Sequence, residues 1–288
     1  MKNIPASVRD RLLKIARENQ TDFQLLLIRY FQERLLYRLS KSSFKNNFCL
    51  KGGALLYALE GEQSRPTLDL DLLGIAIANN HEKMQDAFSQ VSAYSYEEDG
   101  VVFDADSITT TDITKEGKYP GIRLKIRASL GNVKQNLQID IGFGDIVTPE
   151  PVLMQYPVIL DMEPPEIQAY SVETVIAEKF EAMIDLGAVN SRMKDFYDIY
   201  RLLQAGKFNP AILFEAIQTT FSNRRTPCPE VHPLFQDEFA LEEQRLSQWA
   251  AFLRKSKLDS IAFQEVHEVI RHWLEPVYQQ LISADDSD

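Results

Sequence analysis

Residues 65–74 read RPTLDLDLLG and place two aspartates inside an apolar run. In a β-strand, residues i and i+2 point to the same face, so Asp69 and Asp71 project side by side. The leucines of the stretch then point into a core on the opposite face: Leu68, Leu70 and Leu72. Two adjacent carboxylates repel each other, and neither is buried in its ionised form without compensation.

A divalent cation resolves this conflict, because Mg²⁺ prefers oxygen ligands and often shares them with substrate phosphates. The alternative interpretation of Asp69 and Asp71 is the solvated outer face of an edge strand. A second strand favours the metal, since Asp140 interrupts the apolar run QIDIGFGD at 138–145 in the same way. If the two strands are neighbours, Asp140 supplies a third carboxylate, and three carboxylates suit a two-ion phosphoryl-transfer site.

Asp145 lies an odd number of residues from Asp140 and faces the opposite side of an unbroken strand. The Asp145 side chain would share the face of Asp140 only if the two intervening glycines formed a β-bulge. A separate glycine pair, Gly52-Gly53, follows the apolar run FCLK and precedes the helical stretch ALLYAL. Backbone N–H groups at such a turn approach phosphate oxygens closely, although most glycine pairs are simply turns.

The composition is that of a globular protein, with 288 residues of which 44% are hydrophobic. It lacks any run of about 18 apolar residues and any apolar signal sequence at its start, so we expect no membrane span and a cytoplasmic location. Cys49 and Cys228 lie far apart, without metal-like spacing, which fits a reducing compartment. Neither a P-loop nor a G-x-S-x-G motif occurs, which argues against P-loop NTPases and α/β-hydrolases.

The formal charge of -11 is distributed unevenly along the chain. Residues 1–51 contain eleven Lys or Arg and four Asp or Glu, which leaves the remainder at -18. A chain this acidic is a poor general nucleic-acid binder. Its basic first segment is either a contact surface for RNA or an acidic partner, or a pair of solvated basic helices, and the second interpretation is slightly favoured.

The order of patterns predicts an α+β fold. Helical periodicity covers 7–40 in two helices, the first capped by Ser7, and the quoted strand extends over 67–77. A helix near 80–91 and alternating antiparallel strands over 101–146 follow, and five prolines in 148–166 indicate a surface connector. Further helices are predicted at 171–186, 192–205, 209–221, 237–255 and 259–282. We therefore predict two domains, 1–165 with N-terminal helices and a small mixed sheet, and a helical domain at 166–288.

Taken together, these motifs resemble the polymerase β-like nucleotidyltransferase superfamily and, more closely, the AbiEii/AbiGii toxin family. The resemblance extends from about residue 25 to 205 and rests on KGGALLYAL, RPTLDLDL, QIDIGFGD and VETVIAEKFEAM followed by SRMKDFYDIYRLL. It implies a polymerase β-like core whose cleft is completed by the helical domain. Gly-Gly replaces the Gly-Ser of the superfamily pattern, which is common in this family.

The resemblance also implies roles for individual residues. Gly52 and Gly53 match the glycine turn that faces the nucleoside triphosphate, and Lys179 matches a lysine that contacts the nucleotide and takes part in catalysis. Asp195, with Asp198 one turn later, matches an acidic segment implicated in activity. The metal-binding and catalytic carboxylates match the acidic residues already identified: Asp69, Asp71 and Asp140, with Asp145 ending the motif.

Helical spacing alone allows simpler interpretations of the later residues. Lys179 lies near an apolar edge, where a lysine more often extends its amine to solvent. Asp195 and Asp198 lie three residues apart and either point together into a cleft or pair with Arg192 and Lys194. On one strand, Arg123, Lys125 and Arg127 alternate and form a basic stripe that binds triphosphate or RNA, or only solvates the sheet.

The predicted function is metal-dependent nucleotidyl transfer. By resemblance, an NMP moves from an NTP to an acceptor hydroxyl with Mg²⁺ or Mn²⁺ as cofactor, the acceptor is the 3′ end of tRNA, and a cognate antitoxin protein is a partner. One alternative is a nucleotidyltransferase that acts on a small molecule or a protein side chain. Another is a non-catalytic nucleotide-binding module, against which the three intact aspartates argue.

Overall fold

The computed structural model describes residues 3–115 and 119–285, which form two compact units. The first unit comprises the described residues up to Gly144 together with Pro151–Ala169, and the second comprises Asp145–Glu150 and the described residues from Tyr170 onward. The domain boundary expected between residues 165 and 166 stays a prediction.

The first unit combines helices with a mixed sheet. The helices are α1 (Ile4–Glu18), α2 (Phe23–Lys41), α3 (Gly52–Glu60) and α4 (His81–Ser92). The strands are β1 (Phe48–Lys51), β2 (Asp69–Gly74), β3 (Val101–Lys115), β4 (Tyr119–Leu130), β5 (Val133–Phe143), β6 (Val152–Gln155) and β7 (Glu166–Ala169). Within the described residues the strand order is β3-β4-β5-β2-β1-β7-β6. The predicted α+β class with a mixed sheet is confirmed.

The sheet has one apolar face and one polar face in its central strands. β2 pairs with β5 in parallel and with β1 antiparallel, and β4 pairs with β5 antiparallel. Alternate residues of β2, β5 and β4 are almost fully buried: Leu70, Leu72, Ile139, Ile141, Ile122 and Leu124. Helices α2 and α4 pack against strands of this sheet. The strand period of two therefore leaves the intervening polar residues together on the other face.

Helix α2 differs from the expectation of a solvated basic helix. Arg29, Arg34 and Arg38 are all buried. Arg38 donates to both carboxylate oxygens of Asp99, at 2.7 and 3.2 Å, and Asp99 itself is fully buried. Buried charges persist only when they are paired, so the long-range partner overrides the helical pattern. Three of the eleven basic residues in 1–51 are thus buried inside the first unit.

The second unit is helical. Its helices are α5 (Val172–Leu186), α6 (Met193–Ala205), α7 (Pro210–Arg224), α8 (Glu243–Ser256) and α9 (Phe263–Asp285). An aromatic cluster connects three of them with the segment before α8, since the Phe180 ring lies 5.6 Å from Phe221, 6.3 Å from Phe235 and 6.4 Å from Tyr278. None of the helices described in either unit is long and apolar enough to span a membrane.

Some predicted boundaries were wrong. Helix α1 begins at Ile4 and not at Ser7, because Pro5 is tolerated in a first turn and the Asn3 side chain accepts a hydrogen bond from Ala6 N at 3.2 Å. The proline-rich connector contains β6, a four-residue edge strand. The helix predicted from residue 237 begins at Glu243, since Asp237–Ala240 form a 3₁₀ turn.

Candidate active site

Four charged residues lie in one row across the polar face of the central strands. In the register of the sheet, Lys51 of β1 lies opposite Asp71 of β2, Asp71 opposite Asp140 of β5, and Asp140 opposite Arg123 of β4. Directly opposed residues share a face, so two carboxylates lie in the middle of the row with one cation at each end. The two acidic strands are neighbours, which is the condition under which Asp140 joins the β2 aspartates on one face.

The next row along the strands contains the second aspartate of the motif. Asp69 lies opposite Gln138, which lies opposite Lys125. Asp69 and Asp71 are both half-buried, whereas Leu70 between them is 1% exposed. The expected division of the strand into a carboxylate face and a core face holds for β2. It fails at Leu68, which precedes the strand and is 59% exposed.

Asp140 is held by an arginine that the sequence analysis placed only in a basic stripe. Arg123 donates from Nε to Oδ1 at 2.9 Å and from Nη2 to Oδ2 at 2.7 Å. Hydrogen bonding to Asp140 raises the pKa of Arg123, and the nearby charges of Asp69 and Asp71 add to the effect. The guanidinium is thus within the electrostatic reach of all three carboxylates.

A sequence signal for this pair exists in the turn between β4 and β5. Only Gly131 and Asn132 separate the strands, and Gly131 has φ +59°. Two-residue turns with a glycine or asparagine typically connect a hairpin and fix its register. With Leu130 opposite Val133, the pairing continues step by step to Arg123 opposite Asp140.

The glycine pair lies against the quoted motif. Gly52 begins α3 with φ +66°, and a Cβ added there would lie 2.0 Å from Asp71 Oδ2. A Cβ on Gly53 would lie 2.6 Å from Oγ1 of Thr67. Both glycines are therefore required by close approach, and the N-terminus of α3 is brought to the Asp71 carboxylate. Thr67 was quoted in the motif, but its contact with Gly53 was not foreseen.

The donor chemistry of the two β2 aspartates fits a hard divalent cation. Both offer carboxylate oxygens on one face, beside the N-terminus of a helix. Across residues 3–115 and 119–285, no group of three His, Cys, Asp or Glu side chains is arranged to hold a metal ion. Asp69 and Asp71 share one face of β2, as the sequence predicts, and Arg123 bonds to both oxygens of Asp140. The role of all three aspartates as metal ligands stays a prediction.

Asp145 lies outside β5 and belongs to the second unit. Arg224 donates to its Oδ1 at 2.8 Å and to Glu181 Oε2 at 2.8 Å, and it lies 3.4 Å from Glu178 Oε2. Burial by itself lowers the pKa of Arg224, but the three carboxylates outweigh burial and raise it. The contacts assign Asp145 a structural partner in this unit.

Lys179, on α5, bridges the two acidic residues of α6. Its Nζ lies 2.7 Å from Asp195 Oδ1 and 2.7 Å from Asp198 Oδ2. Arg192 Nε lies 2.7 Å from the other oxygen of Asp195. Burial alone raises the pKa of Asp195, but the charges of Lys179 and Arg192 hold that pKa below its usual range. The pairing of Asp195 with Arg192, one of the two alternatives, is confirmed. Asp195 and Asp198 also both contact the ammonium of Lys179, which is buried between them.

The fold of this chain is similar to the folds of two solved structures. The structure of JHP933 from Helicobacter pylori aligns with a TM-score of 0.53 at 14% identity, covering 92% of this chain and 97% of that chain. MenT4, a nucleotidyltransferase toxin from Mycobacterium tuberculosis H37Rv, aligns with a TM-score of 0.52 at 15% identity, covering 98% and 99%. These likenesses show the fold. No curated protein matches the chain.

The family whose description is "Nucleotidyl transferase AbiEii toxin, Type IV TA system" matches residues 34–269. The chain belongs to this family of nucleotidyltransferase toxins. The resemblance inferred from the motifs is thereby confirmed.

Gly52→Ala is expected to lower the free energy of unfolding by about 1–3 kcal/mol more than Gly61→Ala. Both glycines have a positive φ, +66° and +64°, so the backbone cost is shared. An added Cβ at Gly61 meets no atom within 4 Å, whereas at Gly52 it displaces Asp71. Chemical denaturation followed by circular dichroism measures both variants. Equal losses would contradict the close approach of Gly52 to Asp71.

Lys179→Met is expected to lower the free energy of unfolding by about 3–5 kcal/mol at pH 7, because it leaves buried carboxylates without their cation. Removing the exposed cation in Lys207→Met is expected to change it by no more than about 0.5 kcal/mol. Both tryptophans, Trp249 and Trp273, lie in the second unit, so their fluorescence reports its unfolding.

The stability difference between these two variants is expected to depend on pH. Because the folded-state pKa of Asp195 is lowered, its stabilising contribution is present above the unfolded-state pKa and is lost as pH falls through the folded-state pKa. The deficit of Lys179→Met is therefore expected to shrink in acid. A deficit that is independent of pH would show that charge pairing does not stabilise the cluster.

Proposed function

We propose that the chain transfers a nucleoside monophosphate from an NTP to an acceptor hydroxyl. The observation that carries the proposal is the meeting of Asp71 with the N-terminus of α3 at Gly52. A helix N-terminus offers N–H donors and positive potential to phosphate oxygens. Acidic residues beside such a cradle are suited to a metal ion that phosphates share. Membership of a nucleotidyltransferase family supports the same reaction.

Asp69 and Asp71 would hold Mg²⁺ or Mn²⁺, with Asp140 as the third predicted ligand and catalytic carboxylate. When bound, the ion would neutralise charge on the phosphates and increase the acidity of the attacking hydroxyl. The N–H groups of Gly52 and Gly53 would orient the triphosphate, and catalysis would come mainly from positioning and charge neutralisation.

Lys179 and Asp195 are the proposed contributions of the second unit. Lys179 would bind the nucleotide, and Asp195 would set the position of the lysine ammonium. Their direct contact at 2.7 Å supports a joint role. A lysine whose ammonium is already held by two carboxylates loses little side-chain freedom when a phosphate approaches.

The proposed acceptor is the 3′ end of an RNA, tRNA in keeping with the family resemblance. The buried arginines of α2 remove part of the support that residues 1–51 gave to RNA binding. Support for RNA binding comes instead from the basic stripe on β4, because Lys125 and Arg127 are exposed on the same face as Arg123. Arg127 pairs with Asp104 at 3.3 Å, but an exposed pair of this kind is weak and easily exchanged for a phosphate.

The stripe supports a polyanion because it extends past the carboxylates. Lys125 lies in the row of Asp69, and Arg127 lies one row beyond it, about 13 Å along the strand from Arg123. This length suits an extended anion better than a small-molecule acceptor. The type IV toxin–antitoxin description of the family further supports a cognate antitoxin as partner.

Asp71→Asn is expected to reduce nucleotidyl transfer at least about a hundredfold, because it removes a metal-binding charge from the reacting centre. Incubation with total RNA, Mg²⁺ and each α-labelled NTP measures the transfer, and a labelled band of tRNA size names the nucleotide and the acceptor. The matched control is Asp86→Asn, an exposed position on α4. A wild type that binds NTP without labelling RNA, protein or extract would indicate a binding module instead.

Lys125→Glu/Arg127→Glu is expected to weaken RNA labelling while leaving the KM for NTP unchanged. In a plot of the logarithm of RNA affinity against the logarithm of salt concentration, each lost phosphate contact also reduces the magnitude of the slope by about one. Lys45→Glu/Lys83→Glu makes the same charge change at exposed positions outside the strands. Equal labelling by both double variants would exclude β4 as the RNA path and favour a small-molecule or protein acceptor.

A further inference from the structure

Among the three predicted metal-binding carboxylates, Asp140 has both oxygens hydrogen-bonded to one guanidinium. The two bonds to Arg123 measure 2.9 and 2.7 Å, and Asp140 is 8% exposed. Bidentate arginine–carboxylate pairs are among the strongest side-chain hydrogen bonds, and they are specific in geometry. The pair is electrically neutral as a unit, so a divalent cation at Asp140 would meet a positive charge already in place.

Each end of the row has a cation, Lys51 opposite Asp71 and Arg123 opposite Asp140, but the β2 end has a second carboxylate, Asp69, on the same face. Asp71 and Asp69 lie on β2, and the first of them is packed against the glycine that begins α3. Asp140 lies one strand further along, next to the guanidinium. A site for two ions needs a carboxylate that bridges or completes the second position, and Asp140 is the residue available for it on this face.

We propose that Arg123 is a positioning residue that keeps Asp140 from binding metal and limits the resting carboxylate face to a single divalent ion at Asp69 and Asp71. A second ion binds only when Arg123 leaves Asp140. The Arg123 side chain is 37% exposed, so it has room to move toward solvent or a bound anion. This inference rests on the proposed function and adds to it the means by which occupancy of the site is controlled.

A variant that lacks the guanidinium of Arg123 tests whether the pair excludes a second ion. Arg123→Gln leaves a buried carboxylate beside Asp71 without its cation, and another cation that replaces the arginine stabilises this arrangement. A divalent ion in solution is that cation. Arg123→Lys keeps the positive charge but loses the two-pronged geometry. It is expected to exclude the second ion as the wild type does, because the charge beside Asp140 is retained.

The test is a Mn²⁺ titration of the full-length chain at pH 8, with free Mn²⁺ followed by electron paramagnetic resonance. The wild type and Arg123→Lys are expected to bind a single ion. Arg123→Gln is expected to bind a second ion at least about tenfold more tightly than any second ion in the wild type. Arg127→Gln, on the same strand face but bonded to Asp104, is the matched control and is expected to leave both the number of ions and the affinity unchanged.

Two further variants keep the inference falsifiable if Arg123→Gln folds poorly. Asp140→Asn is expected to retain the first ion, because Asp140 is not its ligand, with an affinity lowered only by the uncompensated charge of Arg123. Arg123→Gln/Asp140→Asn is expected to lose the second ion. The inference is overturned if the wild type binds two ions, if Arg123→Gln binds the same ions as the wild type, or if Asp140→Asn loses the first ion.

Failure of this inference and failure of the proposed function are distinguishable. If Mn²⁺ binding is independent of Arg123 but Asp71→Asn abolishes transfer, the function stands and the role of Arg123 is excluded. If no variant transfers a nucleotide but Arg123→Gln gains an ion, the role of Arg123 stands and the reaction is excluded.

Discussion

The parallel pairing of β2 with β5 is the constraint on which the candidate site depends. This register sets Asp71 beside Asp140 on one face and buries Leu72 beside Ile141 on the other. A slip of one residue would move every side chain of a strand to the opposite face. The observed register therefore both buries the leucines and isoleucines and aligns the charged residues. A register shifted by one residue would do neither.

The same row balances its own charge. Lys51 and Arg123 lie at its ends, opposite the two central carboxylates. Such a balance lets acidic residues lie partly buried on a sheet of a chain whose formal charge is -11. The contact of Gly52 with Asp71 then connects the row to the start of α3, so backbone N–H groups and carboxylates meet without a flexible side chain between them. Rigid elements of this kind hold a reacting geometry better than loops do.

The sequence was most informative where a pattern is local. The period of two placed Asp69 and Asp71 on one face, and it identified Asp140 as an acidic residue in a similar strand. Helical periodicity located α5 and α6, whose Lys179, Asp195 and Asp198 are in contact. These results need only the geometry of one element, or of two similar ones.

Long-range pairing was harder to predict. The burial of Arg38 depends on Asp99, which is 61 residues away, and no periodicity specifies that partner. The β6 strand was missed because prolines flank it on both sides and suggested a connector. Arg123 is the instructive case, since its stripe was identified but its pairing with Asp140 follows only from the two-residue turn at Gly131 and Asn132. The length of that turn sets the register of the β4–β5 hairpin and therefore the pairing of Arg123 with Asp140.

The measurement that tests the central claim most directly is anomalous diffraction from crystals grown with Mn²⁺ and a non-hydrolysable NTP analogue. The account predicts a manganese peak within bonding distance of the Asp69 and Asp71 carboxylates, with triphosphate oxygens on the N–H groups of Gly52 and Gly53. A manganese peak bound elsewhere, or a triphosphate bound away from α3 while Asp69 and Asp71 lack an ion, would contradict it.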